Sequence, residues 1–239
     1  MEHSGESALA RLNRCDLVFI AVPTPYDEGA RACDVSSVRE VVRSLDVPMC
    51  IRSTVPPGTT DALIAETGKA IAFSPEYIGE RPGHPWNEAD SAGFVICGGD
   101  RTACARTREA LTGPSASPLR FVQTTARAAE LVKYMENTFL ATKVAFVNQF
   151  YDLAAAANVD FAELRALFLL DARVGESHTE VRPERGFGGK CLPKDMQSIL
   201  AWADGRADVS LLEAVLAYND RVRERAPARA AFAESEIAG

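Results

Sequence analysis

The sequence predicts an α/β protein: the later part of a doubly wound parallel sheet, then a long spine helix and a small all-helical domain. Three observations carry this prediction. From Asp16 onward short apolar runs alternate with amphipathic segments, the pattern of strands and helices wound into a mostly parallel sheet. From about Ala126 to Ala157 one helical pattern continues without a single Gly or Pro. Beyond it, further helical segments flank a Gly-rich loop over Gly175 to Cys191.

Each element has its own signal. Asp16 to Val22 reads as a buried strand. Asp34 reads as an N-cap, followed by Val35, Val38, Val41, Val42 and Leu45 at helical spacing. Pro48 to Arg52 is a second strand, running into Ser53-Thr54-Val55-Pro56-Pro57-Gly58-Thr59. A helix over Thr60 to Glu66 leads to a third strand, Ala70 to Phe73, and then to a loop over Ser74 to Trp86 rich in Pro, Gly and charge. Gly93 to Cys97 and Leu119 to Val122 are further strands around a helix near Thr102 to Leu111. The long helix presents Leu131, Met135, Phe139, Val144, Val147 and Phe150 among its apolar positions. Its excess apolar surface suits either a subunit contact or a purely internal spine. Helices over Phe161 to Leu170, Lys194 to Trp202 and Ser210 to Val222 follow, before an Ala-, Arg- and Glu-rich stretch read as frayed helix or tail. The expected division is 1–124 for the sheet domain, 125–225 for the helical domain and 226–239 for the tail.

Composition narrows the function classes. At 239 residues, 47% hydrophobic and a formal net charge of -7, the chain has the profile of a soluble globular protein of one or two domains. It carries no apolar run of membrane-spanning length and no charged-then-apolar leader, so a cytoplasmic location away from membranes is expected. A pI near 5.1 with scattered Lys and Arg argues against nucleic acid as a partner. The cysteines, at 15, 33, 50, 97, 104 and 191, form no C-x-x-C pair, so neither a zinc site nor a disulfide framework is expected. Cys15, Cys50 and Cys97 sit in or beside apolar runs and read as small buried hydrophobes.

Cys191 is different. It lies in Gly186-Phe187-Gly188-Gly189-Lys190-Cys191-Leu192-Pro193-Lys194-Asp195. The glycines let backbone approach a bound group, and Pro193 suits the first turn of a helix. A cysteine at a helix N-terminus between Lys190 and Lys194 is favoured as thiolate, which makes it a candidate nucleophile. On the long helix Glu130, Lys133 and Asn137 share one face, where an ammonium and an amide could hold an oxyanion. By spacing alone, that stripe reads as a solvated charged face. A third group stands at strand ends: Val22-Pro23-Thr24-Pro25, the Ser53 to Thr59 segment, and Ser74-Pro75-Glu76-Tyr77-Ile78-Gly79-Glu80. Ligands collect at the carboxyl ends of parallel strands, and ordinary Pro-rich turn chemistry explains the same composition equally well.

These segments in this order resemble the UDP-glucose/GDP-mannose dehydrogenase family. The resemblance rests on V-P-T-P, S-T-V-P-P-G-T, P-E-Y-I-G-E, E-L-V-K-Y-M-E-N and G-F-G-G-K-C-L-P-K-D, with Asp171 to His178 similar as well, and runs from about Asp16 to Arg223. It implies a Rossmann-like fold and two NAD-dependent oxidations of a sugar primary alcohol to a carboxylate, through a thiohemiacetal and a thioester on cysteine. By motif, Cys191 would be that nucleophile, Lys133 and Asn137 would stabilise the oxyanion, and Asp195 would position water or Lys133. Glu76 would serve as base and Thr54 would support its water. Glu80, Gly188 and Gly189 would line the substrate pocket with Lys133 and Asn137, and Thr24, Pro25 and Thr54 would face the nicotinamide cofactor. The resemblance requires the Cys191 sulfur to lie within reach of the Lys133 amine.

The family opens with a strand, a G-x-G-x-x-G turn and a helix that receives the cofactor pyrophosphate, and ends with a nucleotide-binding domain. The sequence contains no G-x-G-x-x-G and ends soon after Asn219, so a member truncated at both ends is implied. NAD binding is then expected to be weak or dependent on a partner, since charge-assisted phosphate hydrogen bonds are worth about 1.5 to 3 kcal/mol each. The sheet edge would need cover from a partner or from Ser4 to Arg14. Expected partners are a nucleotide sugar or smaller sugar-like substrate, a second copy through the 126–157 helix, and a separate cofactor-binding subunit. Two other readings keep the fold: a cysteine-dependent sugar or nucleotide enzyme without redox chemistry, and a non-catalytic partner protein.

Overall fold

The computed structural model describes residues 7–77, 93–112 and 120–237, the side chains of 227–237 excepted. The chain packs as two compact units, 1–134 and 135–239, and the change of unit falls inside one long helix.

In the first unit a short helix, α1 (Ala8–Leu12), is capped by Ser7, whose hydroxyl accepts from the Ala10 N–H. β1 (Val18–Ile20) follows, then a small antiparallel hairpin of β2 (Tyr26–Asp27) and β3 (Ala32–Cys33). The Asp27 carboxylate closes the hairpin turn by accepting from the Gly29 and Ala30 N–H groups. α2 (Ser36–Ser44) has its N-cap position at Val35, one residue after the predicted Asp34, whose carboxylate accepts from the Ser36 N–H just ahead of the helix. β4 (Met49–Ile51), α3 (Thr59–Thr67), β5 (Ile71–Phe73), β6 (Phe94–Gly99), α4 (Arg101–Leu111) and β7 (Arg120–Thr124) complete the unit, together with the first turns of α5 (Ala126–Ala156).

The five predicted strands form one sheet in the order β1-β4-β5-β6-β7. β1, β4 and β5 run parallel, with Phe19 beside Cys50 and Cys50 beside Ala72. The sheet is mostly parallel, as expected, with one reversal at its far side: β6 pairs antiparallel to β5, and β7 runs parallel to β6. Strand composition encodes burial and not direction, so this reversal has no signature in the residues. Met49–Ile51 and Ile71–Phe73 are buried throughout, which is why they read as unbroken apolar runs. Val38 and Val42 of α2, Leu63 of α3 and Ala129 of α5 close the core over them. Among the described residues β1 pairs only with β4 and is an edge, with Phe19 40% exposed. The segment before it is tied down by Asn13, whose amide oxygen accepts from the Asp46 N–H.

The second unit holds the remainder of α5 with α6 (Phe161–Phe168), α7 (Cys191–Ala203) and α8 (Ser210–Ile237). Its core joins Ala141, Val144 and Ala145 of α5 to Met196 of α7, Val215 of α8 and Phe187 from the Gly-rich loop. α8 continues well past Val222 as helix. No described helix is long and apolar enough to cross a membrane.

All six cysteines are free thiols. Cys50 and Cys97 are buried as expected, and Cys104 joins them. Cys15 is exposed, contrary to expectation, because it lies in the turn between α1 and β1, with its sulfur near the Arg11 carbonyl, and not on the strand itself.

Candidate active site

In the sheet unit the carboxyl ends of β1, β4 and β5 bring the predicted strand-end residues together. The Thr24 hydroxyl donates to the Thr54 carbonyl at 2.7 Å, and the Ser53 hydroxyl donates to the Val22 carbonyl at 2.7 Å. The V-P-T-P and S-T-V-P-P-G-T segments are therefore one bonded surface, with Thr24 buried, Thr54 half-buried and Pro25 exposed.

Phosphate would need a different cradle. The nearby N-terminus of α3 points N–H groups outward as any helix start does, but Glu130 already occupies them. Its carboxylate accepts from the Gly58 N–H at 2.5 Å and the Thr60 N–H at 2.8 Å, with the Glu130 side chain fully buried. Burial pushes the Glu130 carboxyl above its ordinary range, against the opposing pull of these donors. The carboxylate that caps α3 thus leaves no room there for a second anion.

At the end of β5, Glu76 is held by a residue not singled out in the sequence. Arg52 donates to the Glu76 carboxylate at 2.5 Å and to the Ser74 hydroxyl at 2.9 Å, and its side chain is only 11% exposed. Phe19, Ala21, Val22, Arg52, Ser53, Glu76 and Leu111 line a cavity of about 380 Å³. Arg52 immediately precedes the S-T-V-P-P-G-T segment, and a lone cation ending an apolar strand was the available signal. Lys133 sits with its ammonium 5.1 Å from the centre of the Tyr77 ring, a cation–π contact that spacing could not reveal. Glu80 lies outside the described residues.

In the helical unit Cys191 is the first residue of α7 and is exposed, three positions earlier than the helix expected from Lys194. One turn on, Asp195 is 1% exposed. The Asn137 amide donates to it at 2.5 Å, and the Lys194 ammonium pairs with its other oxygen at 2.5 Å. The helix start, the Cys191 thiol and the buried Asp195 carboxylate therefore share the first turns of α7, with Asn137 reaching Asp195 from α5. Gly188 is half-buried and Gly189 exposed in the loop leading to it.

The stripe Glu130, Lys133 and Asn137 is not the solvated face its spacing suggested. Glu130 and Asn137 are buried at 0% and 6% exposure, each matched to a fixed partner.

Residues 4–114 match the NAD binding domain of the UDP-glucose/GDP-mannose dehydrogenase family, and residues 127–221 match the central domain of the same family. The chain belongs to the UDP-glucose/GDP-mannose dehydrogenase family. A UDP-glucose 6-dehydrogenase of Rhizobium meliloti is 34% identical over 238 residues, 91% of this chain and 53% of the relative. One from Pseudomonas aeruginosa is 33% identical over 228 residues, covering 87% of this chain and 49% of the relative. Among solved structures, a UDP-glucose dehydrogenase of Pyrobaculum islandicum superposes with a TM-score of 0.78 at 29% identity, covering 91% of this chain and 53% of that one. A UDP-D-ManNAc dehydrogenase of Pyrococcus horikoshii gives a TM-score of 0.75 at 29% identity, over 97% and 55% of the two chains. This member of the dehydrogenase family spans about half the length of the curated relatives it matches.

Proposed function

We propose that the chain takes part in NAD-dependent oxidation of the primary alcohol of a nucleotide sugar to a carboxylate, with Cys191 as covalent nucleophile. The observation that carries this reading is Cys191 as the exposed first residue of α7, one turn from the buried Asn137–Asp195 pair, within the family's G-F-G-G-K-C-L-P-K-D segment.

The helix N-terminus and the neighbouring lysines favour the thiolate. NAD would supply the hydride acceptor, one equivalent for each of two oxidations; in the first, the alcohol carbon gives up a hydride while Glu76, through water, takes the hydroxyl proton. At the aldehyde stage the Cys191 thiolate adds to the carbonyl carbon, and the oxygen of the resulting thiohemiacetal is stabilised by the Lys133 ammonium and the Asn137 amide. Loss of its proton and a hydride leaves a thioester. Water, deprotonated by Glu76 with Thr54 ordering it, then attacks the acyl carbon and releases the carboxylate and the free thiol. Asp195 holds Asn137 in place. Thr24, Pro25 and Thr54 hold the nicotinamide, and Glu80, Gly188 and Gly189 contact the sugar.

The assembly we propose is a homodimer through α5. Met135, Phe139, Phe146, Phe150 and Leu153 remain 41–71% exposed along one stripe of that helix. Six free thiols suit a reducing, cytoplasmic location. NAD is the expected cofactor, and because Glu130 caps α3 the cofactor's phosphates must be held elsewhere than at that helix start.

The test is calorimetric NAD binding together with NADH formation against UDP-glucose, GDP-mannose and simpler sugars. Turnover that disappears in Cys191→Ser supports the reading. An adduct on Cys191 without NAD binding overturns the redox step.

A further inference from the structure

We propose that Asn148 and Asn219 are positioning residues for Cys191: two buried amides that clamp the loop delivering the thiol to the first turn of α7. This rests on the reading of Cys191 as nucleophile.

The geometry is one of successive tethers. Asn148, on α5 and 1% exposed, accepts through its amide oxygen from the Arg185 side chain at 2.8 Å and from the Gly186 N–H at 3.0 Å. Its amide nitrogen donates to the Val144 carbonyl, which fixes its orientation on the helix. Asn219, on α8 and 2% exposed, accepts from the Phe187 N–H at 2.6 Å. Consecutive backbone N–H groups at 186 and 187 are thus claimed by side chains from two different helices. Phe187 itself is buried in the helical core, so the loop is pinned by packing as well as by hydrogen bonds.

The backbone is held in a conformation it would not choose alone. Arg185 has φ 55, the left-handed region that a branched or long side chain avoids. Its guanidinium is pinned by Asn148, by Asp152 at 3.0 Å and by the Tyr151 ring at 4.6 Å. At Gly186 a Cβ would fall 2.4 Å from the Asn219 amide oxygen, and at Gly188 one would fall 2.7 Å from Arg223. Gly186, whose φ of 57 is also left-handed, is therefore required by the clamp independently of any substrate contact, whereas the far end of the Arg223 side chain can move away from Gly188. Only Gly188, Gly189 and Lys190 separate the clamped residues from Cys191. Because the far side of Cys191 is anchored through Met196 in the core, small changes at 185–187 act directly on where the thiol points.

The experiment follows alkylation of the intact protein by iodoacetamide across a pH series, site by site by mass spectrometry, with exposed Cys15 as internal reference. Wild-type Cys191 is expected to react faster than Cys15 and with a lower pH midpoint. Asn148→Leu and Asn219→Leu, which remove the acceptor, are expected to slow Cys191 by roughly ten-fold or more and to raise its midpoint toward that of Cys15. Asn219→Asp, which keeps an acceptor oxygen, is expected to preserve wild-type reactivity. Should either Leu variant unfold, Asn219→Ser, too short to reach the Phe187 N–H, carries the same expectation. If the folded variants leave the rate and midpoint of Cys191 unchanged while wild-type Cys191 outpaces Cys15, the clamp is overturned and the nucleophile stands. If wild-type Cys191 reacts no faster than Cys15, the nucleophile falls and the clamp's role falls with it.

Discussion

Asn137 donates its amide to the buried carboxylate of Asp195 across 2.5 Å, joining the long helix α5 to the first turn of α7. That carboxylate also neutralises Lys194, so removing it strands both an amide donor and an ammonium. Asp195→Ala should destabilise the protein by about 1 to 3 kcal/mol, the usual cost of an orphaned buried polar group. Urea denaturation checks it, and an unchanged midpoint with an unchanged slope would refute the structural weight given to this pair.

Arg52 holds Glu76 at the carboxyl end of β5. Replacing it by Met removes the guanidinium that fixes the Glu76 carboxylate beside Ser74. If Glu76 is the base, turnover in Arg52→Met should fall by roughly ten-fold or more, the usual cost of misplacing a catalytic group. An unchanged rate in the folded variant would assign the base elsewhere.

Glu130 ties folding to pH. Its carboxyl is raised above the ordinary value of 4.5, burial outweighing the donors at Gly58 and Thr60. A raised folded-state value means the contribution is fully present below that ordinary value and is lost as pH rises through the folded one. The melting temperature of the wild type relative to Glu130→Gln should therefore decline as pH is raised from about 4 to about 8. A difference that grows with pH would contradict the direction.

The thiols should divide by exposure. In the native protein, brief iodoacetamide treatment should label Cys15 and Cys191 and spare Cys50, Cys97 and Cys104, which react only after unfolding. Peptide mapping decides this, and early label on Cys97 or Cys104 would show that the packing of α4 against the sheet opens readily.

The apolar stripe on α5 should matter for assembly. Phe139, 61% exposed, lies in its middle, and Phe139→Asp should convert a dimer to a monomer in light scattering after size exclusion. A wild type that is already monomeric removes the dimer from the proposal.

Much of this was legible from the residues. The five strands of the sheet announced themselves by apolar runs between turn-forming segments, and α5 by an uninterrupted helical period. The β2–β3 hairpin went unread because strands of two residues carry no period. Cys191 at a helix start was readable from Pro193 and the glycines before it, although the helix begins slightly earlier than its apolar pattern suggested.

What local pattern determined was which segments are helix or strand, which faces are apolar, and where a reactive thiol stands, because these depend on neighbours a few positions away. The tertiary structure alone decided the direction of β6, the Arg52–Glu76 pair and the fate of the Glu130 to Asn137 stripe. Glu130 meets its donors 70 and 72 residues away, and Asn137 meets Asp195 58 residues away. A charged side chain on a helix is solvated unless something distant answers it, and only the folded chain brings the answering groups to it.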